Sequence, residues 1–149
     1  MNWYSLATYY DVSFSHEMRE ELLFLQNIFN SYSTTNYPSL IEPACGTGRL
    51  IIPLSRNGYD CAGFDLNEHA LSYLKDKLNR NQLKANIFHG DMTNFNSKRK
   101  KYDAAYCTVD TFRHLLSEKQ AVQHLLNIAK SLKKNGIELS QPFVLNSNF

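Results

Sequence analysis

From residue 40 onward, short apolar runs alternate with segments in which hydrophobic residues recur every three or four positions. The apolar runs predict strands, and the segments between them predict helices. The predicted strands cover residues 40–42, 59–65, 86–89, 102–109 and 137–140. Strands and helices that alternate at this spacing form a parallel sheet with helices on both faces. The pattern therefore predicts an α/β protein.

End signals bound the predicted helices. The first helix begins after Ser15 and ends in the polar run 31–36, and a second runs from about Arg49 to Asn57 before Gly58. The last begins at Ser117, with Gln120 three residues later as in a capping box, and ends at residues 135–136. The residues expected to face the core are Met18, Leu22, Leu25, Phe29 and Tyr32 in the first helix, and Val122, Leu125, Leu126, Ala129 and Leu132 in the last.

The chain divides into an N-terminal segment and a sheet-forming part. Residues 1–36 are rich in aromatic residues and hold the first predicted helix, so we expect a helical cap. Residues 37–149 hold all the predicted strands. A chain of 149 residues suits one hydrophobic core, so the two parts are expected to form a single domain.

Composition and charge argue against several classes of protein. The net charge of +2 is too small for a nucleic-acid or membrane surface, and the basic run 98–101 is interpreted as a solvated loop. No stretch approaches the ~18 apolar residues of a membrane span, and the N-terminus does not resemble a signal peptide. Cys45, Cys61 and Cys107 are too widely spaced for a disulfide framework or zinc site, and the five histidines show no metal-binding spacing. We expect a reduced, cytoplasmic protein without a metal.

A glycine-rich loop from Glu42 to Gly48 follows the first predicted strand, at the end of the sheet where open parallel sheets bind ligands. The glycines allow a sharp bend and close approach to a ligand. A dinucleotide site would place a third glycine where Ile51 stands, and Glu42 would repel a pyrophosphate. S-adenosylmethionine (SAM) has an ammonium group and no phosphate, so the loop favours SAM over NAD.

Two further acidic residues stand at predicted strand ends. Asp65 ends the second strand, 23 residues after Glu42, where an acid in such a sheet accepts hydrogen bonds from ribose hydroxyls. Asp91 follows the third strand. Each acid also has an ordinary structural explanation: Glu42 could cap the loop, Asp65 could cap the next helix, and Asp91 could initiate a turn.

The order Glu42-x-x-x-Gly46-x-Gly48 resembles motif I of the class I, Rossmann-like SAM-dependent methyltransferases. The segments 63–67, 90–92 and 102–107 are similar to later motifs of that family, in the same order and each at a strand end, over roughly residues 37–140. Ala-Cys-Gly-Thr-Gly is a form of the loop common in members that methylate small molecules. The resemblance implies a Rossmann-like sheet and SAM as the cofactor.

The resemblance also implies roles for individual residues. Asp65 would hold both ribose hydroxyls, Asp91 and Met92 would contact adenine, and the backbone near Cys107 would approach the methionine ammonium. The pair Tyr9-Tyr10 resembles a segment that covers SAM in several relatives, although ordinary packing is an equal alternative. The residues expected to bind the cofactor are Tyr10, Glu42, Ala44, Cys45, Gly46, Gly48, Asp65, Leu66, Asp91, Met92 and Cys107.

Methyl transfer depends largely on positioning the two reactants, so the sequence need not display a catalytic residue. His114 is the best-placed candidate base, with a solvent-facing or packing role as the alternative. Enzymes that methylate the amines of nucleic-acid bases usually carry prolines after the fourth strand, and residues 108–112 contain none. We therefore expect a small-molecule acceptor and no nucleic acid, with a protein side chain as the alternative acceptor.

The family sheet normally ends in an antiparallel hairpin after its fifth strand. This chain ends 13 residues beyond Gly136, and Pro142 interrupts the fifth strand, so we expect the hairpin to be missing. Three explanations stay open: the sheet stops short, a partner chain covers it, or the gene product is truncated. An exposed strand edge would be prone to pairing, in a homodimer or with a partner chain. Because part of the substrate wall would be missing, SAM binding is expected more than turnover.

Three interpretations of function follow. The first is a SAM-dependent methyltransferase that acts on a small molecule, with activity impaired by the short C-terminus. The second is a non-catalytic SAM-binding module that docks to a partner chain. The third is an NAD(P)-dependent oxidoreductase, which Glu42 and Ile51 both disfavour.

Overall fold

The structure is a computed structural model that describes residues 18–97, 100–108 and 111–140. Its elements in chain order are α1 (Met18–Tyr32), β1 (Ser39–Pro43), α2 (Ile51–Arg56), β2 (Asp60–Asp65), α3 (Glu68–Arg80), β3 (Asn86–His89), β4 (Tyr102–Cys107), a 3-10 helix (Thr111–His114), α4 (Glu118–Ser131) and β5 (Leu132–Ser140). Helices and strands alternate through most of the chain, as the hydrophobic pattern predicted.

The strands form one sheet in the order β3-β2-β1-β4-β5, and every neighbouring pair is parallel. Parallel neighbours require crossover connections, and α2, α3 and α4 supply three of them. The order reverses between β1 and β4: β2 and β3 extend the sheet in one direction, and β4 and β5 extend it in the other. The prediction of a Rossmann-like parallel sheet is confirmed.

Apolar side chains cover both faces of the sheet, because successive residues of a strand point to opposite sides. Leu40 of β1 belongs to the core shared with α1, α2 and α3, and its neighbour Ile41 belongs to the core shared with α4. In α1, Leu25 and Phe29 are buried as predicted, whereas Tyr32 lies on the exposed side. Helices therefore lie on both faces.

The predicted core-facing stripe of α4 is wrong. Val122, Leu125 and Leu126 are 48%, 41% and 51% exposed, and Ala129 is also exposed. The buried side of the helix consists instead of His124, Ile128 and Ser131. The polar members of that side form hydrogen bonds inside the fold, so hydrophobicity alone indicated the wrong face.

The predicted boundaries of α4 were correct at one end only. Ser117 is the N-cap, and its Oγ accepts a hydrogen bond from the Gln120 N–H at 3.2 Å. The helix ends at Ser131 rather than at residues 135–136, and β5 begins at Leu132. Asn135 lies inside β5 with φ of 66°, where the register with β4 shifts. The residues predicted to end the helix therefore mark an irregularity in the strand.

The basic run lies partly within the described residues. Lys100 and Lys101 of the basic run are exposed, and Lys100 pairs with Asp60 at 2.9 Å. Residues 98 and 99 lie outside the described part.

No helix among the described residues has the length and apolar character needed to cross a bilayer.

Candidate cofactor site

The candidate site lies at the carboxyl ends of β1 and β2, beside the point where the strand order reverses. Open parallel sheets bind ligands in the crevice at such a point because the loops there diverge from the sheet in opposite directions. β1 leads into the loop Glu42–Gly48 at this edge, and β2 ends at Asp65. Glu42 is paired with Gly63, and Pro43 is paired with Phe64. The two strands therefore bring the loop and Asp65 to the same edge.

The loop folds through three residues with positive φ. Ala44, Gly46 and Gly48 have φ values of 50°, 51° and 73°. The Cys45 N–H donates to the Phe64 carbonyl at 3.0 Å, and the Gly48 N–H donates to the Cys45 carbonyl at 2.9 Å. These bonds hold the turn against β2.

Gly46 and Gly48 have different roles in the loop. A Cβ at Gly48 would lie 2.2 Å from Cδ1 of Leu74, so this glycine allows α3 to pack against the loop. A Cβ at Gly46 would have no atom of the described residues within 4 Å, apart from its own chain neighbours. Among the described residues, the backbone at Gly46 therefore borders space that a ligand can fill by contacting the main chain directly.

Gly63 of β2 provides the close packing that a third loop glycine would otherwise provide. A Cβ there would lie 2.4 Å from Cδ1 of Ile51 and 2.9 Å from the Cys45 side chain. Ile51 is fully buried at this contact. A bulky residue can therefore follow the loop because β2 contributes the glycine.

Asp65 joins the loop to the start of α3. Its Oδ2 accepts the Gly46 N–H at 2.8 Å, and its Oδ1 accepts the Asn67 N–H at 2.8 Å. Asn67 is the N-cap of α3, so the helix-capping role belongs to Asn67 and not to Asp65. A carboxylate has about four lone-pair positions, and these two bonds use half of them.

Glu42 lies beneath the loop and is only 7% exposed. The Tyr106 hydroxyl donates to its Oε2 at 3.1 Å. Burial raises the pKa of Glu42 from 4.5 to about 8, while the nearby Arg49 partly opposes the shift. The charge of Asp65 contributes to the increase, so the two carboxyl groups are close enough to interact. An additional cation beside Glu42 would stabilise its charged form.

Arg49 contributes to the site and was not singled out from the sequence. Its guanidinium pairs with Glu21 of α1 at 3.0 Å and contacts Oγ1 of Thr108 at 3.4 Å. The loop is thereby connected to α1 and to the residue after β4. An arginine directly after the last glycine of the loop was the available signal.

At the end of β3, Asp91 forms a turn. Its Oδ1 accepts both the N–H and the hydroxyl of Thr93, each at 2.7 Å, and these bonds lower the pKa of Asp91. The turn-forming role anticipated for this residue is therefore present, and its Oδ2 makes no hydrogen bond to any other described residue. Leu66, next to Asp65, is 59% exposed.

Residues 41–136 match the protein family described as "Methyltransferase domain". This chain belongs to that family. A Geobacillus sp. (strain WCH70) protein that carries a methyltransferase name is 27% identical over 116 residues, which cover 78% of this chain and 47% of the relative. A dTDP-3-amino-3,4,6-trideoxy-alpha-D-glucopyranose N,N-dimethyltransferase of Streptomyces venezuelae is 25% identical, with the same coverage of 78% and 47%.

Solved methyltransferase structures share the fold. The sugar N-methyltransferase KedS8 from Streptoalloteichus sp ATCC 53650 aligns with a TM-score of 0.82 and 18% identity, covering 95% of this chain and 55% of that one. DesVI of Streptomyces venezuelae aligns with a TM-score of 0.78 and 22% identity, covering 89% and 54%. This chain spans about half the length of these relatives and solved chains.

Within this methyltransferase domain, some residues predicted to bind the cofactor have buried side chains. Met92 is only 8% exposed and packs in the core on the α4 side of the sheet. Cys107 is buried, and burial raises the pKa of its thiol to about 12, which disfavours the thiolate form that a nucleophile requires. Cys45 is also buried, and its side chain faces Gly63.

The remaining candidates are the predicted base and the two N-terminal tyrosines. His114 is exposed on the 3-10 helix that follows β4. Tyr9 and Tyr10 lie outside the described residues. Among residues 18–97, 100–108 and 111–140, no three His, Cys, Asp or Glu side chains come together as a metal-binding group.

Proposed function

We propose that this domain binds SAM at the Glu42–Gly48 loop and serves a methyltransferase that acts on a small-molecule acceptor. The observation that carries the proposal is the geometry of Gly46. No other described residue would lie within 4 Å of a Cβ at Gly46, apart from its two chain neighbours, and its N–H is held by Asp65 at 2.8 Å. The loop can therefore contact a ligand closely, and a carboxylate lies directly beside this point of close approach.

The charges and hydrogen-bonding groups fit the parts of SAM. Asp65 would accept hydrogen bonds from the ribose hydroxyls with its remaining lone pairs. The ammonium would lie on the side of Glu42 and near the backbone of Cys107, where a positive charge offsets the burial of the carboxyl group. The exposed Leu66 would contact the adenine ring, and Asp91 would accept a hydrogen bond from its amine.

When bound, SAM supplies a methyl group attached to a positively charged sulfur. The residues of this chain would contribute by holding the cofactor in one orientation at the sheet edge, which is the main requirement of an in-line transfer. The buried thiols Cys45 and Cys107 would take no covalent part, because burial raises the pKa of both.

A small-molecule acceptor is supported by the relatives. The Streptomyces venezuelae relative is named for an amino sugar, and KedS8 is described as a sugar N-methyltransferase. An amine on a small molecule is therefore the acceptor class that we propose to test first.

Calorimetric titration of the purified chain tests the cofactor. We expect SAM and its product, S-adenosylhomocysteine, to bind, and we expect NAD to give no signal at the same concentration. Tight NAD binding without SAM binding would reject the proposal.

Asp65→Ala tests the proposed ribose contact. The change removes the acceptor for two ribose hydroxyls, and we expect S-adenosylhomocysteine binding to weaken by ~1–3 kcal/mol. Asp60→Ala is the matched control, because Asp60 lies at the amino end of the same strand, away from the loop. An unchanged dissociation constant in Asp65→Ala, measured by calorimetry, would show that Asp65 is not the ribose partner.

The second candidate function is a SAM-binding module that docks to another chain. The exposed apolar stripe of α4, with Val122, Leu125 and Leu126 between 41% and 51% exposed, favours a covering partner. Conversion of SAM to S-adenosylhomocysteine in the presence of an amino-sugar acceptor separates the two functions. Cofactor binding with no conversion on any acceptor would favour the module.

A further inference from the structure

The buried side of α4 holds the loop that follows β3. Nδ1 of His124 lies 3.0 Å from the Met92 carbonyl oxygen, and Nδ2 of Asn127 donates to the Thr93 carbonyl at 2.6 Å. His124 and Asn127 are three residues apart, so they lie on one side of the helix. Two successive carbonyls of the loop are therefore held by side chains of one helix.

The environment of His124 fixes which ring nitrogen donates. The side chain is fully buried, and its ring packs edge-on against Phe112 with the centroids 5.8 Å apart. A carbonyl oxygen can only accept, so Nδ1 must carry the hydrogen. Nε2 makes no hydrogen bond within the described part of the chain and lies 3.9 Å from Oε1 of Glu138 in β5. The ring is thus oriented by its bond to Met92.

The hydrogen bonds continue from this loop to Asp91. Thr93 donates to Oδ1 of Asp91 through both its N–H and its hydroxyl. Asn127 donates to the carbonyl of the same threonine. His124 donates to the carbonyl of Met92, which lies between Asp91 and Thr93 in the chain. A displacement of the loop from α4 would therefore move the Asp91 carboxylate.

We propose that His124 and Asn127 are positioning residues that set the Asp91 carboxylate for recognition of the adenine amine. The inference rests on the proposed function. This positioning role explains why α4 turns two polar residues toward the protein while its apolar stripe remains exposed. Neither residue touches the ligand, and both act through the loop.

A comparison of two ligands tests the inference. S-inosylhomocysteine carries a carbonyl oxygen in place of the adenine amine, so its position 6 cannot donate to Asp91 and would face it with a second acceptor. Its N1–H, at the neighbouring ring position, is the only donor left on that edge of the base. We expect the unmodified protein to bind S-adenosylhomocysteine about tenfold more tightly than the inosine analogue, since one hydrogen bond to a charged group is lost.

Asn127→Leu and His124→Phe are expected to reduce this preference to about twofold or less, because the loop is no longer held. His124→Asn keeps an amide donor near the position of Nδ1 and is expected to restore most of the preference. Lys130→Gln, on the exposed side of the same helix, is the matched control and is expected to keep the full preference.

Each outcome of the titrations has a distinct meaning. If the first two variants weaken both ligands equally and keep the tenfold preference, α4 only supports the fold and the inference is wrong. An unmodified protein without any preference also overturns it. Binding of neither ligand would reject the proposed function together with the inference that rests on it.

A spectroscopic measurement gives a second test that does not depend on the folding of a variant. Nitrogen-15 NMR of the unmodified protein should show that Nδ1 of His124 is protonated. A ring protonated only at Nε2 would overturn the assignment.

Discussion

Gly46→Val is expected to weaken SAM binding by at least about 100-fold, because the new side chain would occupy the space in which the ligand contacts the loop. The described residues leave that space open, since none of them beyond the two chain neighbours lies within 4 Å of a Cβ at Gly46. The cost to folding should be limited to the strain of a left-handed backbone, about 1–2 kcal/mol, at the observed φ of 51°. Calorimetric titration measures the first quantity, and denaturant unfolding measures the second.

Gly58→Val is the matched control for this change. Gly58 also has a positive φ, of 90°, but it follows α2 and borders the ring of Tyr37, away from the carboxyl edge of the sheet. The Gly58 variant should lose at least as much stability, because its Cβ would lie 3.3 Å from Cε1 of Tyr37, and it should keep its affinity for SAM. If Gly46→Val binds SAM as tightly as the Gly58 variant does, the open space at Gly46 is not part of the ligand site.

Glu42→Gln is expected to change the pH dependence of stability. Between pH 4.5 and about 8 the folded protein binds more protons at Glu42 than the unfolded chain does, because burial has raised the folded-state pKa. The free energy of unfolding contributed by this group therefore falls as the pH rises through that window, by up to about 1.4 kcal/mol per pH unit. Glutamine has no proton to lose, so the variant should become more stable relative to the unmodified protein from pH 5 to pH 8.

Urea unfolding at pH 5, 6, 7 and 8 measures this difference. Glu68→Gln, which changes an exposed glutamate on α3, should give a difference that hardly varies with pH. A flat difference for Glu42→Gln as well would mean that Glu42 is charged in the folded protein across the whole range.

The sheet was predictable from the sequence because its signals are local. Each strand is a short apolar run with a turn residue or a polar residue near its end, and Glu42, Asp65 and Asp91 stand at or directly after three of those ends. In a parallel sheet the carboxyl ends share one edge, so the strands alone predict approximately where the candidate site lies. The Rossmann-like fold that the family resemblance implies is the fold that the structure has.

The orientation of α4 could not be predicted from hydrophobicity. A helix with Val122, Leu125 and Leu126 on one side is expected to bury that side. Here His124 and Asn127 face the protein, because the carbonyls of Met92 and Thr93 accept their hydrogen bonds. Those acceptors lie more than 30 residues earlier in the chain, and only the tertiary structure brings them to the helix.

The details of the loop depended on partners that are also distant in sequence. The sequence pattern presents Ile51 only as a missing glycine, whereas its burial depends on Gly63 in the neighbouring strand. The pattern also predicts a charged Glu42, whereas burial beside Tyr106 raises the pKa of this residue to about 8. Both corrections concern packing between elements, which a residue pattern along one strand does not contain.

A crystal structure of this chain with S-adenosylhomocysteine tests the central claim most directly. We expect the ribose hydroxyls within hydrogen-bonding distance of the Asp65 carboxylate, the ligand backbone against Gly46, and the ammonium on the side of Glu42. A ligand bound elsewhere, or one whose sugar faces away from Asp65, would contradict the account.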